Sequence, residues 1–168
     1  MTSRGKKIFI ALSIIIPFGI YSIVYYQEKF RYANFKAKDF ISFEYQWGIK
    51  DPLENSYSTV SHVYRYHDNK DSVVTKKLAL TKKDYKYLDS IADLQGFWNL
   101  PPILANSEAD FNNPQILRYR LTFVYKNDTK TVTFLSNYDR NDKMRNVAMQ
   151  MRKEVDQLLV EAEQKANN

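Results

Sequence analysis

The chain opens on a long apolar run and continues into shorter segments in which apolar and polar residues alternate. From Ile8 to Tyr26 there are 19 residues without a charge. As a helix this run is about 28 Å long, close to the ~30 Å hydrocarbon core of a bilayer. Its two serines form no polar stripe of the kind that a globular helix carries, and three tyrosines cluster near its end, as at a membrane interface. The pattern predicts a transmembrane helix at residues 8–26.

The flanks of this run bear on its processing and orientation. A removable signal peptide has an apolar region of ~7–15 residues followed by a small-x-small cleavage site, and neither matches here. We therefore predict a retained signal anchor, with a basic cytoplasmic tail at 1–7 and a juxtamembrane stalk at 27–38. Basic residues flank both sides, and the short charged tail favours a domain at 39–168 on the extracytoplasmic side of a bacterial inner membrane. The alternatives are a cleaved signal, a buried helix and the reverse orientation.

Beyond residue 38 the alternation of apolar and polar residues indicates β-strands. The segment DFISFEYQWG places Ile41, Phe43, Tyr45 and Trp47 on one face, which predicts a half-buried strand. A second strand, rich in β-branched and aromatic residues, is predicted at 56–67, and a third is predicted at 72–80. The segment QILRYRLTFVYK alternates most clearly and, with the turn at 127–128, predicts a hairpin with KTVTFLS.

Two helices are predicted between and after these strands. Thr81 and Asp84 resemble a capping box, and Gly96 is placed to end the helix that follows. A last helix at about 139–164 has a wide apolar stripe, which favours packing on the sheet over a coiled coil. The predicted fold class is α+β: a transmembrane helix, then a small antiparallel sheet with two helices in the order β-β-β-α-β-β-α.

The composition limits the kinds of partner and binding site that the chain is expected to have. The formal net charge is +6, and because the first 26 residues hold three bases and no acids, the remainder carries 22 Lys and Arg against 19 Asp and Glu. This mild excess indicates no nucleic-acid partner. There is no cysteine, so disulfides and a lipoprotein anchor are excluded. His62 and His67, the only histidines, would point to opposite faces of a strand, and the segment NYDRND fits a helix N-cap better than a calcium loop.

Catalytic motifs are also lacking. The sequence has no cysteine nucleophile, no G-x-S-x-G and no phosphate-binding glycine loop. We therefore predict no catalytic residue, no cofactor, no metal and no small-molecule substrate, so the chain is not expected to be an enzyme. Carboxylates that meet only in the folded state remain open as an alternative.

Two groups of residues are candidates for an interaction surface. Phe97, Trp98 and Leu100 belong to the apolar segment FWNLPPIL, whose prolines exclude a helix or a central strand; exposed aromatics of this kind anchor partners. Arg118 and Arg120, with Lys126 and Arg65, would form a basic strip that docks an acidic partner or lipid headgroups. The alternatives are that FWNLPPIL covers the core and that the strip is a solvated strand face.

A family resemblance covers about residues 78–136. The order runs from LALTKKDYKYLDSIADLQGFWNL to YRLTFVYKNDTKTVTF: a strand, an L-T-x-x-D helix start, an F-W-x-L-P exit and a tyrosine-bearing hairpin. It resembles small exported bacterial domains of the emfourin type, which are metalloprotease inhibitors. The resemblance implies an inhibitor but assigns no inhibitory loop.

The functional prediction combines these observations. We expect a membrane-anchored binding or accessory domain, with the lipid bilayer as a partner through residues 8–26 and another envelope protein as the second partner. The alternatives are a protease inhibitor and, third, an enzyme whose site is not visible in the sequence.

Overall fold

The computed structural model describes residues 3–32, 35, 37–50 and 52–166, and the chain divides into two compact units, Met1–Lys36 and Ala37–Asn168. The first unit contains helix α1 (Ser3–Tyr32). Among the described residues, no helix combines the length and apolar character that crossing a bilayer requires. The predicted transmembrane signal anchor at 8–26 and the predicted single-pass inner-membrane localisation are therefore wrong.

Seven of the 19 residues of this run are serine, proline, glycine or tyrosine, which are less apolar than its isoleucine and phenylalanine residues. Residues 1–2 of the predicted tail and residues 33, 34 and 36 of the predicted stalk lie outside the described part of the chain.

The second unit is built on one sheet. After a short 3-10 turn at Ala37–Asp39, its elements are β1 (Phe40–Gly48), β2 (Asn55–Ser58), β3 (Val63–His67), β4 (Val73–Lys77), α2 (Lys82–Gln95), a 3-10 turn (Phe97–Asn99), β5 (Ile103–Leu104), α3 (Glu108–Asn112), β6 (Arg118–Tyr125), β7 (Thr129–Leu135) and α4 (Asp142–Ala166). The strand order is β4-β3-β2-β1-β6-β7-β5, and all neighbours are antiparallel except β5 and β7. The α+β fold of the described chain thus has a seven-stranded mixed sheet and four helices, so the predicted antiparallel sheet and element order are wrong.

The first error lies at the predicted strand 56–67, which is two strands joined by a turn. Thr59 exchanges hydrogen bonds with the backbone of Phe43, with Thr59 N 3.0 Å from Phe43 O and Phe43 N 2.8 Å from Thr59 Oγ1. His62 has a φ of 54°, which turns the chain into β3. A long-range contact with β1 therefore overrides the β propensity of this segment.

The second error lies after the prolines, where β5 and α3 were not predicted. The amide of Thr133 donates to the carbonyl of Pro102 at 2.8 Å, which joins β5 to β7 at the edge of the sheet. An edge position is where proline is tolerated, since it has no amide to donate. Helix α3 begins after Ser107, whose Oγ accepts from the Asp110 amide at 3.0 Å.

The predicted start and end of α2 are confirmed. Thr81 Oγ1 accepts from the Asp84 amide at 3.3 Å while Asp84 Oδ2 accepts from the Thr81 amide at 2.7 Å, which completes the capping box. Gly96 has a φ of 74° and closes the helix with bonds to the carbonyls of Ala92 and Asp93. This left-handed conformation is one that glycine adopts without strain.

Helices α2 and α4 cover one face of the sheet. The predicted alternation in β6 is confirmed: Tyr119, Leu121, Phe123 and Tyr125 are buried, and the residues between them are half-buried. Tyr119 bonds to Arg152 of α4 and Tyr125 to Asp89 of α2, which identifies the covered face.

In β1 the predicted inward position of Ile41 is wrong. A register shift between Phe40 and Ser42 leaves the Ile41 side chain exposed.

Candidate binding face

The face of the sheet opposite α2 and α4 is mostly polar, with Val63, Val73 and Val124 among its residues, and we call it the open face. Strand register places on it the alternate residues of β1, β2, β3, β4, β6 and β7. Glu44, Arg65, Thr75 and Lys77 of this face are exposed. An antiparallel sheet that is covered on one side normally carries polar residues on the other, so polarity alone assigns no function.

One row of the open face is distinctive, and we call it the arginine row. Direct cross-strand neighbours carry it over six strands; they are Thr75, Arg65, Ser56, Gln46, Arg120 and Thr133. The strands of Arg65 and Arg120 are three spacings of ~4.8 Å apart, so the backbones that bear the two guanidinium groups are separated by about 14 Å. Short hydroxyl and amide side chains fill the interval.

Neighbours in the row hold the Arg120 side chain. Its Nη1 donates to Gln46 Oε1 and its Nε to Thr133 Oγ1, both at 3.3 Å. A guanidinium has five N–H donors, and these two contacts use two of them. Arg120 therefore lies half-buried along the sheet surface in a fixed orientation, with donors left for an acceptor that approaches from the open side.

The charge of the open face is positive. Arg65, Lys77 and Arg120 are cationic, and Glu44 is the acid on the neighbouring row, directly across from Ser58 and Thr122. The Glu44 carboxylate accepts from Gln46 Nε2 at 3.3 Å. Within the described residues, no carboxylate lies within salt-bridge distance of Arg65 or Arg120. Both guanidinium groups can therefore pair with an external acid.

Arg118, the other arginine of the predicted patch, lies at a covered corner of the open face. Its guanidinium carbon is 5.8 Å from the centre of the Phe111 ring of α3, and its Nη2 donates to the Asn113 carbonyl at 3.0 Å. Lys126 follows the last residue of β6 and lies outside the arginine row. Of the predicted basic strip, Arg65 and Arg120 share one row at a separation of about 14 Å, while Arg118 contacts the α3 segment.

The apolar part of the predicted patch is in the core. Phe97, Trp98 and Leu100 are buried. The Trp98 ring lies 5.3 Å from that of Phe123 and 5.6 Å from that of Tyr125, both in edge-to-face geometry. These three side chains therefore stabilise the packing of α2 on the sheet and present no surface to a partner in this conformation.

The face of the sheet that α2 and α4 cover has its own polar network, which holds α4 against the sheet. Arg152 Nη1 donates to the Tyr119 hydroxyl at 2.8 Å and Arg152 Nε lies 3.6 Å from Asp156 Oδ2. Burial raises the pKa of the Asp156 carboxyl, and burial together with the adjacent Asp156 raises the pKa of the Tyr45 hydroxyl. These groups are oriented by one another beneath the helix, and they lie on the face of the sheet opposite to the open face.

The register of the arginine row was the feature that sequence reasoning missed. The polar alternation of each strand was visible, but Gln46, Ser56, Thr75 and Thr133 acquire meaning only when pairing aligns them with the arginines.

Over the described ranges, no group of three or more His, Asp or Glu side chains is placed to hold a metal ion.

No protein-family model, no curated protein and no solved structure matches this chain. The resemblance to emfourin-type domains, and the inhibitor function that it implies, stay predictions.

Proposed function

We propose that the unit formed by residues 37–168 is a binding module that docks an acidic segment of another protein on its open face. The arginine row carries this proposal: Arg65 and Arg120 share one cross-strand row and lack an acidic partner among the described residues. Charged groups arranged this way across an interface give specificity and orientation.

The chemistry of the row favours carboxylates in an extended chain. A side chain on the same face of an extended peptide recurs about every 6.8 Å, so positions four residues apart span about 14 Å, the interval between the two arginines. Gln46 and Ser56 lie between them and provide neutral hydrogen-bonding groups for the intervening peptide. A partner segment crossing the strands is thereby held by two charge pairs.

The affinity of such a contact is expected to be modest and dependent on salt. Exposed ion pairs contribute ~0.2–1 kcal/mol each, whereas hydrogen bonds to a held, partly buried charge contribute ~1.5–3 kcal/mol. Arg120 belongs to the second class because Gln46 and Thr133 fix it, and Arg65 to the first. Raising the ionic strength from 0.01 to 0.15 M shortens the screening length from ~30 to ~8 Å and should weaken binding.

A peptide titration tests the proposal. The probe is a fluorescein-labelled ten-residue peptide of alternating glutamate and serine, and the full chain is titrated into it while anisotropy is recorded. The double variant Arg65→Glu/Arg120→Glu should bind about tenfold or more weakly, a loss of ~1.4 kcal/mol or more. The matched control is Lys143→Glu/Lys153→Glu, which changes net charge equally at exposed positions of α4 and should bind within about twofold of the wild type.

Two results would count against the proposal. Equal affinity of the wild type and the arginine variant would remove the open face from binding. An equal loss in the α4 control would show that net charge alone attracts the peptide. Since Arg120 has contacts within the sheet, the single variant Arg65→Glu, at an exposed residue, is measured as well and should still bind more weakly than the wild type.

A further inference from the structure

A cleft of about 400 Å³ lies on the second unit, away from the open face. It is formed where the chain entering β1 passes the first turns of α2. Its lining includes Lys38, Lys82, Lys86, Phe40, Tyr85 and Asp89. This volume is within the ~300–1,000 Å³ range of small-molecule sites.

The wall of the cleft is aromatic. The rings of Phe40 and Tyr85 are stacked, with centroids 5.1 Å apart and planes inclined by 26°. The Phe40 ring also meets that of Tyr125 edge to face at 5.7 Å. Ile41 adds an exposed apolar side chain as a result of the irregular register at the start of β1. A flat apolar group can thus lie against side chains that are already held by their neighbours.

The rim of the cleft is cationic. Lys82 and Lys86 are four residues apart and so share one face of α2, and Lys38 approaches from the segment before β1. In the part of the chain that the structure describes, none of these three lysines has a carboxylate within salt-bridge distance. Three ammonium groups around one opening concentrate positive potential there.

The acid of the cleft is engaged with the core. The hydroxyl of Tyr125 donates to Asp89 Oδ1, and burial raises the pKa of this carboxyl despite that bond. Asp89 is therefore directed toward β6 and does not pair with the lysines. The opening consequently offers cations to a ligand, with the aromatic wall beside them.

We propose that this cleft binds a small aromatic anion, whose phosphate or carboxylate contacts Lys38, Lys82 and Lys86 while its ring packs against Phe40 and Tyr85. A ligand with both parts is favoured because the anion is held by the lysines and the ring removes apolar surface from water. This site is separate from the proposed docking of a protein on the open face.

Calorimetric titration of the full chain with 1-naphthyl phosphate tests the site. The wild type should bind it, and 1-naphthol, which lacks the anion, and inorganic phosphate, which lacks the ring, should each bind at least about tenfold more weakly. A 1-naphthyl carboxylate measured in parallel distinguishes the two anion classes. Equal binding of 1-naphthol would overturn the proposal, since the lysines would then contribute nothing.

Paired variants locate the binding. Lys82→Gln/Lys86→Gln should lose about tenfold in affinity for 1-naphthyl phosphate, whereas Lys77→Gln/Lys83→Gln, at exposed lysines outside the cleft, should bind as the wild type does. Arg65→Glu/Arg120→Glu should also bind normally, which separates this test from that of the open face. If the Lys82/Lys86 variant retains full affinity, or if the amide resonances of Ile41 and Lys86 do not shift on titration, the assignment is wrong.

Discussion

Replacing Trp98 by alanine should destabilise the second unit severely. The indole is only 6% exposed and lies within 5.6 Å, centroid to centroid, of the rings of Phe97, Phe123 and Tyr125. Trp→Ala substitutions in cores cost ~3–5 kcal/mol, because the lost burial is accompanied by a cavity that the surroundings fill only in part. Domains of this size are stable by only ~5–15 kcal/mol, so the variant should remain folded with a much reduced margin.

Urea denaturation measures this loss. With a denaturant dependence of ~1–3 kcal/mol per molar, a cost of at least 3 kcal/mol lowers the midpoint by about 1 M or more. The fluorescence of Trp47 in β1, the other tryptophan of the chain, reports unfolding of this unit in the variant. The matched control is Leu94→Ala on α2, where the side chain is 80% exposed and the midpoint should move by less than about 0.5 M.

A small shift for Trp98→Ala, indistinguishable from that of Leu94→Ala, would contradict this prediction. It would mean that the indole contributes little to packing and that the FWNLPPIL segment can leave the core. Trp98 would then return as an anchor for a partner. A large shift would show that a loss of binding in this variant reports unfolding and carries no information on an interface.

Two further perturbations test local features of α2. Thr81→Ala should lower the free energy of unfolding by about 1 kcal/mol in urea denaturation, because it removes the Thr81 hydroxyl that accepts from the Asp84 amide in the capping box. Thr81→Ser keeps the hydroxyl and should cost little. Equal losses in the two variants would contradict the capping role. The Asp89→Asn variant should gain folding stability relative to the wild type as the pH rises. The folded pKa of Asp89 is raised above its ordinary 3.8, so the folded state holds more protons than the unfolded state just above that pH, and wild-type stability falls across this window. If the difference in unfolding free energy between Asp89→Asn and the wild type does not change with pH, the predicted direction of the pH dependence is wrong.

Local signals in the sequence predicted the elements that depend on neighbouring residues. The capping pair Thr81 and Asp84, the terminating Gly96 and the alternation of β6 each require only a few consecutive side chains, and each is confirmed. The apolar stripe of the last helix also predicted its buried residues, among them Val147, Met151 and Val155.

Features that depend on distant pairing were not predictable. The division of 56–67 into β2 and β3 rests on hydrogen bonds from Thr59 to Phe43, 16 residues away. The arginine row depends on the contact of Gln46 with Arg120 across 74 residues. Strand register of this kind is set by the whole sheet, so the sequence indicated basic residues on an exposed face without indicating which of them align.

The apolar segments show why hydrophobicity alone was ambiguous. The absence of charge in 8–26 predicts contact with a bilayer, and the aromatic residues of 97–104 predict contact with a partner. In the structure Phe97, Trp98 and Leu100 of this segment fill the core, whereas Ile103 is exposed. Burial of an apolar side chain is favourable wherever a neighbour is available, and the sequence does not say which neighbour that is.

The most direct measurement on the open face is a two-dimensional 1H–15N spectrum of the full chain during titration with the glutamate–serine peptide. Docking on the open face predicts that amide shifts concentrate at Gln46, Ser56, Arg65 and Arg120, in one band across the sheet, and that they vanish in the Arg65→Glu/Arg120→Glu variant. Shifts that concentrate on α4, or at Lys82 and Lys86 beside the cleft, would contradict the assignment of the open face as the docking surface.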